Sequence, residues 1–101
     1  MKNLYTIVYN LGNNLDGIPF DSMAFHNFID ALYKNGSIND WWNYLDNVYI
    51  ISVPDGMAVN DVYNVVFPGM PKRHMLVSKV DPLNMQGWLS NDAWGWIDKY
   101  K

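Results

Sequence analysis

The residues that could do chemistry in this chain are few and scattered. His26 and Asp30 stand four apart, so on a helix they share one face and could act as two metal ligands, or as a base with its orienting carboxylate. No second histidine lies near them in sequence, and an exposed helix-face pair explains them better. Lys72, Arg73 and His74 form the one basic cluster and could receive a phosphate or an acidic partner; equally they are a solvated strand end. Asp16, Asp40 and Asp46 are the carboxylates placed to gather near loop ends, where a pair could serve acid-base or metal chemistry. Asp46, in the pair Asp46-Asn47, is better explained as a turn residue. No glycine-rich phosphate loop, nucleophile triad or metal-ligand spacing is present.

The stretch NDWWNYLDNVYII, residues 39–51, carries another kind of chemistry. Trp41, Trp42, Tyr44 and Tyr49 could be a platform on which nucleic-acid bases stack, or could fill a core and a subunit contact. The charge balance decides between them. The chain has 7 Lys and Arg against 10 acidic residues, a net charge of −3. Nucleic-acid affinity at physiological salt comes largely from cations displacing phosphate counterions, so rings without a basic track bind weakly. The expectation is that these rings are mostly buried, with Lys72, Arg73, His74, Trp41 and Trp42 as the binding candidates, and nucleic acid an unfavoured partner.

Composition bounds the rest. At 101 residues the chain is one domain, and only 17% of it is charged while 50% is hydrophobic, which is little charged surface for a lone small domain. That favours an oligomer. The chain has no cysteine, which removes disulfides, thiolate metal sites and a cysteine nucleophile together and suits the cytosol. The opening MKNLYTIVYN is too short in apolar residues for a signal sequence, and no stretch reaches the length of a membrane span, so a soluble cytoplasmic protein is expected. Thirteen Asn and ten Asp with no Glu suit an AT-rich bacterial or phage genome.

The elements that must position these residues follow from periodicity. Leu4–Asn10 alternates as a strand, with Tyr5, Ile7 and Tyr9 on one face and Leu4, Thr6 and Val8 on the other. Residues 11–20 are a loop. Asp21 or Ser22 caps a helix running to about Lys34, with Phe25, Phe28, Ile29 and Leu32 on its buried stripe. Trp41–Leu45 and Val48–Val53 are strands joined by a hairpin turn. A second helix spans about Ala58–Phe67 and buries Val59, Val62, Tyr63 and Val66; His74–Val80 is a fourth strand. The order β-α-β-β-α-β predicts a ferredoxin-like α+β fold, a four-stranded antiparallel sheet with two helices on one face. The tail, 81–101, would pack on the body or on a partner subunit, with a short extended piece at Gly87-Trp88-Leu89 and a helix that Ser90 caps. Because two helices cover only one face, the other face needs this tail, a second subunit, or both.

DWWNYLDNVYII, the opening LYTIVYN and the ending QGWLSNDAWGWIDKY resemble a family of small bacterial and phage proteins labelled SinR-like, itself similar in fold to the CRISPR adaptation nuclease and to VapD-like toxins. The resemblance covers nearly the whole chain and implies a ferredoxin-like homodimer; the expectation set beside it is that the dimer acts through protein contact, without cofactor. The nuclease relatives imply an alternative: phosphodiester cleavage with Mg²⁺ or Mn²⁺ held by an aspartate at the end of the first strand, across a dimer axis. Here that position is Asn10, following Tyr9, so Asp16 or Asp46 would have to supply the missing charge beside it. A third reading is an RNA-binding module that uses the sheet aromatics.

Overall fold

The computed structural model describes residues 3–101, apart from the side chain of Tyr44, whose expected role in the aromatic surface lies outside the described residues. Four strands, β1 (Asn3–Tyr9), β2 (Asp40–Leu45), β3 (Val48–Val53) and β4 (Met75–Val80), form one open antiparallel sheet in the order β2-β3-β1-β4. Three α-helices accompany it: α1 (Ser22–Lys34), α2 (Val59–Val66) and α3 (Asn91–Asp98). No helix among the described residues is long and apolar enough to cross a membrane.

The period-two alternation of β1 sets the two faces. Tyr5 sits opposite Ile51 and Ile7 opposite Tyr49 on β3, and these side chains join Tyr9, Phe25, Ile29, Ile38, Val53, Val62, Val66 and Met70 in the larger core, under α1 and α2. Asp21 caps α1 by accepting from the Ala24 N–H, and Phe25 and Ile29 anchor its inner face. Phe28 and Leu32 pack only partly against the core. The α2 stripe expected from spacing is narrower in the structure: Val62 and Val66 are buried, but Val59 and Tyr63 are 42% and 40% exposed. With eight residues, α2 turns only two of the four expected stripe positions fully onto the sheet. A 3₁₀ turn at Phe67–Gly69 then carries the chain past α1. A Cβ at Gly69 would sit 2.5 Å from the Phe28 ring, so any larger residue here would have to displace that ring.

The opposite face holds a second, smaller core. Leu4 and Ile50 are fully buried there beneath Trp96 and Ile97 of α3, with Trp42, Val80, Met85, Leu89, Trp94 and Tyr100 packed around them. The tail therefore packs on the body of its own chain. Ser90 caps α3 by accepting from the Ala93 N–H. Gly87-Trp88-Leu89, expected as a short extended piece, forms no strand and links a 3₁₀ turn at Pro82–Asn84 to α3.

Asp40 clasps the tail to the sheet. One carboxylate oxygen, Oδ1, accepts from the Trp41 N–H at 2.9 Å; the other, Oδ2, accepts from the Trp96 indole N–H at 3.0 Å and from the Tyr100 hydroxyl at 2.5 Å. Lys99 adds an ion pair at 3.7 Å. Burial and the hydrogen bond to Asp40 push the Tyr100 hydroxyl well above the usual tyrosine range, so it stays protonated as a donor.

Candidate functional site

A cavity opens where β1 ends, between the start of α1 and the β2-β3 turn. Its volume is about 680 Å³, within the range of small-molecule sites. Tyr9 and Tyr49 form its floor, Phe20 and Leu11 one wall, and Ser22, Met23 and His26 of α1 another; Asn43 and Asp46 complete the rim. Alternation along β1 and β3 brings the floor together, since Tyr9 and Tyr49 both point to the helix side, with ring centroids 6.3 Å apart.

The floor is fixed by hydrogen bonds. The Tyr9 hydroxyl donates to the Asp46 carbonyl at 2.9 Å, tying the end of β1 to the hairpin turn. The Tyr49 hydroxyl lies 3.5 Å from His26 Nδ1. Burial first, and then the nearby Tyr49 and Asp46, push the Tyr9 hydroxyl well above the usual tyrosine range; burial raises Tyr49 as well. Both phenols are therefore neutral hydrogen-bonding groups at physiological pH. Asn43 spends its amide N–H₂ on the Leu45 and Val48 carbonyls, at 2.7 and 2.9 Å, across the irregular part of the β2-β3 pairing.

His26 is the main departure from the sequence expectation. It does not pair with Asp30 on a solvent face: Asp30 pairs with Lys34 at 2.8 Å, while the imidazole turns inward, edge-on to Trp41 with centroids 4.9 Å apart. The helix is amphipathic but its flank is covered by β2, so the face that periodicity marks as wet includes a ring contact that only tertiary packing creates. Trp41 in turn packs against Tyr49 and the larger core. Trp42, one residue on, points to the opposite face and packs in the smaller core, where its indole N–H is buried with no acceptor among the described residues. The two tryptophans thus lie on different faces of the sheet and do not make one stacking surface.

Lys72 and Arg73 are engaged within the chain. Lys72 pairs with Asp16 at 3.0 Å, and its backbone is in the left-handed region at φ 58°. Arg73 reaches across the 11–20 loop and donates to the carbonyls of Asn10 at 2.8 Å, of Ile18 at 3.2 Å and of Gly12, with its guanidinium over the Phe20 ring at 5.1 Å. His74 is exposed, and its carbonyl accepts from the Asn10 N–H at 3.1 Å.

The donor set for a divalent metal does not come together within the chain. Asn10 turns its side chain onto local backbone, accepting from the Gly12 N–H at 3.0 Å. Asp16 is held by Lys72, and Asp46 sits on the cavity rim. Among the described residues no group of three or more histidines and carboxylates could hold a metal ion. These residues do not fit Mg²⁺ or Mn²⁺ in one chain. No protein-family model, curated protein or solved structure gives a match to this chain.

Proposed function

We propose that the chain is a ferredoxin-like homodimer of the SinR-like kind that works through protein contact, without catalysis of its own. The strand order β2-β3-β1-β4, antiparallel throughout, supports the ferredoxin-like assignment. One observation carries the dimer: the second face of the sheet is only half covered. The α3 segment buries Leu4 and Ile50 completely, but at the other end of the same face Val8 is 38% and Leu76 is 66% exposed, directly opposite each other on β1 and β4. Leu83 and Trp88 of the tail are 71% and 99% exposed as well. A two-fold contact buries the same patch on both subunits and needs no other partner to be self-complementary.

Light scattering at micromolar concentration is expected to give twice 11.7 kDa, and Leu76→Asp, which places a charge on the proposed contact, is expected to give the monomer mass with the fold retained. A wild-type monomer would remove the proposal. The competing nuclease reading has its own test. Purified protein is expected to leave labelled single- and double-stranded DNA and RNA intact with Mg²⁺ or Mn²⁺, because the first-strand position is a neutral amide in both copies. Cleavage by the wild type that disappears in Asn10→Ala would replace the interaction reading with a nuclease.

A further inference from the structure

The cavity at the end of β1 lies on the helix side of the sheet, on the face opposite Val8 and Leu76, and has an unequal set of polar groups. Its donors are only partly spent: the Tyr9 hydroxyl is given to the Asp46 carbonyl and the Asn43 amide N–H₂ to two strand carbonyls, while the Tyr49 hydroxyl lies 3.5 Å from His26 Nδ1 and the Ser22 hydroxyl stays on the lining. Its acceptors are more open. Asn43 keeps its Oδ1, both phenol oxygens keep lone pairs, and the Asp46 carboxylate has no hydrogen bond or ion pair among the described residues. Among the described residues no lysine or arginine lines the space. Arg73 lies over the Phe20 ring, and its guanidinium is spent on three loop carbonyls. The helix N-terminus beside Ser22, which would otherwise favour an anion, is already capped by the Asp21 carboxylate.

A site with aromatic walls, unused acceptors and one unpaired carboxylate favours a ligand that brings donors and positive charge, and disfavours phosphate and carboxylate ligands. From this geometry we infer that the cavity is a binding site for a small flat organic cation, an amidine or aromatic amine, with its ring against Phe20 and Tyr49 and its N–H groups toward Asp46 and the Asn43 Oδ1. The ring would meet largely apolar side chains, Leu11 and Met23, whose 46% and 67% exposure leaves the mouth accessible.

A charge series on one ring tests the site. Benzamidine, benzamide and benzoate are titrated at pH 8 into the full-length protein, followed by the amide and ring resonances of Tyr9, Phe20, His26 and Tyr49. Benzamidine is expected to shift these resonances and to bind about three- to fivefold tighter than benzamide, the size of an exposed cation–carboxylate or cation–ring contact, with benzoate weakest. Asp46→Asn keeps the turn and the main-chain carbonyl that Tyr9 uses, and is expected to erase the preference for benzamidine while the ring still binds. The inference is overturned if none of the three probes moves these resonances at millimolar concentration, if benzoate binds as well as benzamidine, or if Asp46→Asn leaves the preference intact. The oligomeric state, read in parallel, is independent of all three outcomes.

Discussion

Asp40→Ala is expected to lower the melting temperature by about 10–20 °C, the equivalent of about 2–4 kcal/mol in a domain of this size. The residue looks like an ordinary strand-end aspartate, but its Oδ2 receives both the Trp96 indole N–H and the Tyr100 hydroxyl. Trp96 is 5% exposed, so the variant leaves a buried N–H without this acceptor, which alone costs about 1–3 kcal/mol. The charged bond to Tyr100 adds to that, whereas the Lys99 pair, whose Lys side chain is 60% exposed, adds little. Asp40→Asn keeps one acceptor oxygen and should lose about half as much. Limited proteolysis reads where the damage falls: new cleavage is expected between residues 81 and 90, because the clasp holds α3 over Leu4 and Ile50. Removing the tail after Val80 goes further and exposes both of these side chains, with aggregation or loss of cooperative melting expected. A variant melting within 2 °C of wild type, by thermal scan, would show that apolar packing alone holds the tail.

Those contacts also mark what the sequence could and could not reveal. Alternation along Leu4–Tyr9 and the i, i+3, i+4 spacing of Phe25, Phe28 and Ile29 are local signals, and they place β1, α1 and the larger core correctly. The need for a cover on the second face was legible for the same reason, since Leu4 and Val8 are apolar and point away from the helices. Asp40 was not legible as a clasp, because its partners lie 56 and 60 residues away and nothing in their spacing joins them. The cavity was hidden in the same way. Tyr9, His26, Asp46 and Tyr49 meet only once the sheet is assembled, and His26 had a closer sequence neighbour, Asp30, that drew it to the wrong face. The reach of Arg73 was hidden too: a basic residue before a strand reads as solvated, yet the loop it enters is bare of other long side chains that could hold its carbonyls.

That last point leads to a second large effect. Arg73→Ala is expected to cost about 2–3 kcal/mol and to free the 11–20 loop, because three carbonyls lose a charged donor and the Phe20 ring loses the guanidinium lying over it. Other bonds hold parts of this loop. Asn14 accepts from the Asp16 and Ile18 N–H groups, and the Leu15 N–H donates to the Lys72 carbonyl, so the tip keeps its own turn. What is lost is the guanidinium's hold on both flanks, leaving the Asn10 N–H on the His74 carbonyl as the remaining tie at the first of them. Arg73→Lys should recover little of it, since an ammonium cannot present the planar fork that reaches carbonyls on two sides of the loop. Hydrogen exchange should therefore show faster amides at Gly12 and Phe20 in both variants. Leu11 and Phe20 form one wall of the cavity, so benzamidine binding should fall with them, whereas Lys72→Ala, which removes only an exposed ion pair to Asp16, should leave both exchange at Phe20 and binding unchanged. Unchanged exchange at Gly12 and Phe20 in Arg73→Ala, with melting within 1 °C of wild type, would mean that the loop holds its place without the guanidinium.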